Sequence, residues 1–142
     1  MGGGKKILFV CVGNTCRSQM AEGFAARYGG DTIKVKSAGT AASGFVNRAT
    51  IEVMREKGID ISGQASKQLT DAFLNWADVV VTLGCCSAEG ICPVTFKGRK
   101  MDWPIEDPLG MPVEFMRGVR DDIEKRVMGL IDEERREEDT RS

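Results

Sequence analysis

Two short unbroken apolar runs, Ile7-Leu8-Phe9-Val10 and Val79-Val80-Val81, constrain the fold of this chain more than any other feature. They read as buried strands at 6–12 and 78–83, of the kind found in a sheet covered on both faces. Between them, residues 17–28 carry Met20, Phe24 and Tyr28 on one face and predict a helix. Residues 32–37 alternate as a second strand, and Ser37-Ala38-Gly39-Thr40 reads as a turn. Asn47 is placed to cap a helix carrying Ile51 and Met54 that stops near Gly58, and Thr70-Asp71 opens a short helix through Phe73 and Leu74. A loop rich in cysteine and glycine fills 84–98, a short fourth strand is expected at 99–103, and two prolines make 102–108 an exposed loop. The last element, 113–132, has Phe115, Met116, Val119, Ile123, Val127 and Leu130 at helical spacing, and the mixed-charge residues 133–139 read as its frayed, solvated end. Alternating strands and helices define an α/β single-domain three-layer sandwich, with a four-stranded parallel sheet and helices on both faces. Sites in such sheets lie at the carboxyl ends of strands, where Cys11 ends strand one and Cys85 follows strand three.

The 142 residues suit one domain spanning 1–142, with 1–5 and 133–142 expected to be flexible. A net charge of −1 argues against a general nucleic-acid binder. No apolar stretch approaches the ~18 residues of a membrane span, and no signal-peptide pattern follows Met1, so a cytoplasmic protein is expected. The five cysteines are Cys11, Cys16, Cys85, Cys86 and Cys92. An odd count without a secretory signal argues against a disulfide framework and for reactive thiols or a metal. Histidine is absent, which excludes a Cys-His dyad, a Ser-His-Asp triad and a histidine-bearing zinc site. Zinc sites favour two cysteine pairs, and the loop at 84–98 has no free pair elsewhere to complete one; no metal and no cofactor are expected.

The chemistry concentrates in Cys11-Val12-Gly13-Asn14-Thr15-Cys16-Arg17-Ser18, between the first strand and the first helix. A free thiol is mostly protonated at neutral pH, and the thiolate is the nucleophile. The helix N-terminus, the permanent charge of Arg17 and the Ser18 hydroxyl all favour the thiolate of Cys11. The loop amides of Val12 to Arg17 suit a tetrahedral oxyanion, two of whose oxygens Arg17 can hold in a fork. Gly13 is expected to let the backbone curl inward, and Asn14 to adopt a left-handed conformation and bond across the loop.

With these residues in place, the chain resembles the low-molecular-weight protein tyrosine phosphatase superfamily. More narrowly, Cys11 through Gly23 resembles the thioredoxin-coupled arsenate reductases on that fold. The likeness covers most of 5–131, including Ser37-Ala38-Gly39, Gly58 to Ser62, Val79 to Leu83, Glu106-Asp107-Pro108 and Val119 to Ile123. It implies that Asp107 is the proton donor, whichever relative the chain follows. In a phosphatase, Asp107 protonates the departing phenolate and then activates water on a Cys11-phosphate. In a reductase, Cys11 forms an arsenate adduct, a second cysteine attacks Cys11 and arsenite leaves. A third cysteine then closes a disulfide that thioredoxin reduces.

The resemblance implies Cys85 and Cys92 for the later steps, because Cys92-Pro93 and the spacing to the third strand fit, with Cys86 an adjacent alternative to Cys85. Cys16 is implied to shape the loop and is near enough in sequence to pair with Cys11. The eukaryotic phosphatases place tyrosines after Asp-Pro, where this chain has Leu109-Gly110; Trp103 is left as a candidate aromatic wall. Some relatives hold potassium near the loop. Asn14, Glu22 and Ser37 match that site, but Lys67 stands where an acidic ligand is expected. Arsenate reduction by a monomer is therefore the leading expectation, with thioredoxin as partner and with phosphomonoester hydrolysis or metalloid binding by the cysteine loop as alternatives.

Overall fold

The computed structural model describes residues 4–141, so the expected flexibility of residues 1–3 and of Ser142 lies outside the described residues. Four strands are present: β1 (Lys5–Cys11), β2 (Ile33–Gly39), β3 (Val79–Leu83) and β4 (Arg99–Trp103). They form one parallel sheet in the order β2-β1-β3-β4. The helices are α1 (Arg17–Gly29), α2 (Arg48–Arg55), α3 (Asp71–Trp76), α4 (Ala88–Ile91) and α5 (Val113–Arg141).

The two apolar runs become the two central strands because they alone are buried along both faces. Ile7 and Phe9 of β1, with Val79, Val81 and Leu83 of β3, join a core against α1, α2 and α5. Leu8, Val10 and Val80 face the other way, into a smaller cluster with Leu74, Ala77, Ala88 and Cys92. Each fully buried aliphatic side chain contributes roughly 1.5–3 kcal/mol. The chain order reverses between β1 and β3, which opens a crevice at their carboxyl ends. Register brings those ends level: Cys11 pairs with Gly39, Val10 with Thr82, and Leu83 with Trp103.

The caps form as read. Asn47 accepts the amide of Thr50 at 3.0 Å, and Thr70 caps α3 through Phe73. Three expectations are corrected. The helix read at 113–132 runs on to Arg141, and the stretch through Arg135 is docked rather than frayed. Ile131 and Glu134 are buried, Glu134 lies between Lys5 (3.7 Å) and Arg99 (3.6 Å), and Arg135 donates to the carbonyl of Tyr28. Four residues of the cysteine loop form α4, capped by Ser87 onto Gly90; a single turn leaves no periodicity to read. The stretch 102–108 is only partly exposed: Trp103, the last residue of β4, and Ile105 are core residues, and Trp103 packs on Phe9 with ring centroids 5.8 Å apart.

Outside the core, α2 and α5 are joined by Glu56, which accepts from Arg117 at 2.8 Å and from Arg120 at 2.6 Å. These guanidiniums hold the Glu56 carboxyl down to about 2. A depressed carboxyl contributes stability above its unfolded value and loses it as the pH falls toward the folded one. Replacing Glu56→Gln is therefore expected to lower stability at neutral pH. The deficit should shrink as pH falls from about 4.5 to about 2, read from denaturant midpoints across that range.

Candidate active site

The loop between β1 and α1 is shaped by what its carbonyls do. The carbonyl of Cys11 accepts from Thr40, that of Val12 from Ala41, and that of Gly13 from Ser43 and the Ser66 hydroxyl. The carbonyl of Asn14 accepts from Gln19, that of Thr15 from Asn47, and that of Cys16 from Met20. Every carbonyl from Cys11 to Cys16 is thus turned outward onto a neighbouring donor. Peptide planes held this way aim their amides to the inside of the curve, and such a nest binds anions.

Asn14 is the hub. Its φ is 48°, the left-handed conformation expected for it. The backbone amide of Lys67 donates to Asn14 Oδ1 at 2.7 Å, which fixes the amide's orientation, since the atom facing a donor must be oxygen. Asn14 Nδ2 then donates to Ser18 Oγ at 2.8 Å and to Ser37 Oγ at 2.9 Å. The Ser37 hydroxyl donates to Glu22, whose carboxylate has the Lys67 ammonium 3.8 Å away. Ser18 Oγ already accepts from Asn14, so its one proton is free to point at Cys11 Sγ, 2.8 Å distant. The donors of the whole chain therefore run toward the sulfur, which faces the Ser18 hydroxyl as its donor.

Arg17 is 5% exposed, and its charge is aimed by backbone. Nη1 donates to the carbonyls of Leu83 (2.8 Å) and Ile105 (3.0 Å), so β3 and the segment after β4 both hold it. Nη2 lies 3.9 Å from Asp107 Oδ2. Asp107 is half-exposed and accepts from the Leu109 amide at 3.0 Å, which holds one carboxylate oxygen while the other faces Arg17. Cys11, Arg17, Ser18 and Asp107 are thus brought together.

Glycine is required where backbones approach, not where the loop's own sequence suggested. A Cβ on Gly13 would make only one tight contact, 3.2 Å to the Thr15 methyl. On Gly39 it would come within 2.4 Å of the Val12 carbonyl, and on Gly84, at φ +77°, within 1.9 Å of the Ile105 carbonyl and 2.9 Å of Arg17 Nη1.

The other cysteines occupy different environments. Cys16 faces the core, accepts from the Thr50 hydroxyl at 3.0 Å, and is pushed up to about 12 by burial. Cys85 Sγ lies 3.7 Å from the carbonyl of Val10, so the start of the cysteine loop borders the end of β1. The sulfurs of Cys85 and Cys86 are bonded to each other. Cys92, expected to bond one of them, is free, buried in the smaller cluster, and not brought to Cys11.

Several contributors were missed by sequence. Gln19 is fully buried and ties Asn14 to Ala65, while Gln64 and Ser66 brace the loop from a polar stretch without periodicity. Lys67, singled out in the sequence beside Asn14, Glu22 and Ser37, adds its backbone amide to that bracing. Trp103 is no wall. Exposed apolar side chains on the loop and on segments near it include Val12, Leu109 and Phe45, the last 59% exposed between Ser43 and Asn47, which both bond the loop.

A thiol under a directed hydroxyl, a loop whose carbonyls all turn outward, a fixed guanidinium and a neighbouring carboxylate form an arrangement chemically able to receive a tetrahedral oxyanion and to present a sulfur nucleophile to it. The chain belongs to the low molecular weight phosphotyrosine protein phosphatase family, whose model matches residues 6–140. A curated relative from Staphylococcus haemolyticus (strain JCSC1435), named arsenate reductase 2, is 45% identical over 120 residues, covering 84% of this chain and 90% of its own. A solved structure described as an arsenate reductase in the phosphate binding state is 41% identical with a TM-score of 0.80, covering 91% of this chain and 98% of that one. The thioredoxin-dependent arsenate reductase Cg_ArsC1' of Corynebacterium glutamicum is 28% identical with a TM-score of 0.80, covering 94% of this chain and 63% of that one.

Two outcomes follow from this geometry. Asn14→Asp replaces two donors with an acceptor that competes for the Ser18 proton, and a hydrogen bond to a charged group contributes about 1.5–3 kcal/mol. Iodoacetamide should then alkylate Cys11 about tenfold to a hundredfold more slowly at neutral pH. Peptide mapping of the native wild-type protein should find Cys16 unmodified at neutral pH, and modified only after denaturation.

Proposed function

We propose that this chain is an arsenate reductase that works by a cysteine relay. The observation that carries the reading is the pairing of two features at one sheet edge: a thiol in an outward-carbonyl loop at the end of β1, and further thiols in the loop after β3. A phosphatase needs only the first. The names carried by the relatives support the same choice.

In the proposed cycle the Cys11 thiolate attacks arsenic(V) held by the amides of Val12 to Arg17 and by the Arg17 guanidinium. Ser18 withdraws its hydrogen bond as the sulfur loses charge. Asp107 gives a proton to the departing oxygen, which leaves as water. A thiol of the loop at 85–86 then attacks Cys11 sulfur, and the arsenic–sulfur electron pair stays on arsenic as arsenite is released. Cys92 closes the final disulfide with that loop, and thioredoxin reduces it. The thioredoxin-dependent neighbour supports that choice of reductant. A relay that must return to its thiols after each turnover suits a reducing compartment, so we place the protein in the cytoplasm.

The family supports a second reading, hydrolysis of aryl phosphates through a Cys11-phosphate, and the exposed Phe45 on the rim offers a surface for a ring. It requires turnover of an aryl phosphate that is lost in Cys11→Ser and indifferent to thioredoxin.

The deciding assay couples arsenate to NADPH oxidation through thioredoxin and thioredoxin reductase. Arsenate-dependent oxidation is expected, abolished by Cys11→Ser and slowed about 10²–10⁴-fold by Asp107→Asn. Oxidation that does not depend on arsenate, or none at all, overturns the reading.

A further inference from the structure

Cys86 has no fixed place in the cycle above, yet it is the residue bonded to Cys85. The three cysteines of this loop differ sharply in access. Cys85 and Cys86 are both half-buried, and Cys85 borders the carbonyl of Val10, the residue before the nucleophile. Cys92 is 8% exposed and packed among Leu8, Val10, Val80 and Ala88. Its own helix is fastened down. The Asp102 carboxylate accepts the Ala88 amide at 2.9 Å and the Thr82 hydroxyl, while Glu89 pairs with Lys100 at 3.0 Å. Before Cys92 attacks anything, α4 must let go of β4 and the cluster must open. Cys86 needs no such release, because the peptide bond to Cys85 keeps it within reach whatever α4 does.

We propose that Cys86 is a resolving thiol, which frees Cys11 by forming the Cys85–Cys86 disulfide before Cys92 takes part. The proposal rests on the arsenate-reductase reading and adds one step to it. In the first exchange the Cys85 thiolate attacks Cys11 sulfur, a Cys11–Cys85 disulfide forms, and arsenic leaves reduced by two electrons. In the added step the Cys86 thiolate attacks Cys85 sulfur, the Cys85–Cys86 bond forms and the Cys11 thiolate departs, with no net change in electrons. Cys92 then exchanges into that bond once α4 opens, or the dithiol of thioredoxin reduces it directly. Cys11 is thereby returned without waiting for the slow unpacking of Cys92.

One turnover with arsenate, in the absence of reductant, tests this in Cys92→Ser and in the double variant Cys86→Ser/Cys92→Ser, with arsenite measured beside disulfide mapping. In Cys92→Ser we expect one arsenite released per protein, a Cys85–Cys86 disulfide, and Cys11 free to alkylate. In the double variant we expect arsenite with a trapped Cys11–Cys85 disulfide and loss of Cys11 alkylation. A Cys11–Cys85 disulfide already trapped in Cys92→Ser overturns the proposal and leaves arsenate reduction standing. A wild-type protein that releases no arsenite overturns both. The arsenite yield also reports that each variant is folded, since it needs an intact nucleophile loop.

Discussion

Everything at the carboxyl edge of this sheet depends on where the loop carbonyls point. A seven-residue path from strand to helix would ordinarily leave backbone oxygens facing any guest at its centre. Here each one is engaged from outside, by Thr40 to Ser43, by Asn47, by Ser66, and by Gln19 and Met20 of α1. The loop binds nothing by virtue of its own sequence alone. It becomes an anion cradle because four other stretches of chain converge to satisfy its acceptors, and each is placed by the sheet register that aligns Cys11 with Gly39.

That dependence explains what sequence could and could not disclose. The parallel sheet was legible because burial on both faces writes itself as contiguous apolar residues at Ile7–Val10 and Val79–Val81. Cys11, Arg17 and Ser18 were legible because a nucleophile, a fixed charge and a hydroxyl at one strand-to-helix junction have few other uses. Gln19 and Gln64 were not, because a side chain that braces a distant backbone carries no periodicity and no partner in its own neighbourhood. Gly13 drew attention in place of Gly39 for the same reason: close approach is a property of two segments, and sequence displays one at a time. The charged end of α5 looked solvated because Glu134 meets Lys5 and Arg99 only after the sheet is built.

The cysteines divide along similar lines. Cys11 and Cys16 share one short loop yet face opposite environments. One lies under a directed hydroxyl, and the other is buried against Thr50, where ionisation is suppressed. Discrimination between two identical side chains five residues apart is made by which face of the loop each occupies, and neither histidine nor metal is needed for it.

Gly84 carries a consequence for how this chain can change over generations. It is the residue where β3 passes into the cysteine loop, and its missing side chain lets the Ile105 carbonyl and Arg17 meet there. Any side chain at that position would push against the guanidinium that faces the guest. A substitution there would therefore be felt at two places at once, the start of the cysteine loop and the aim of Arg17.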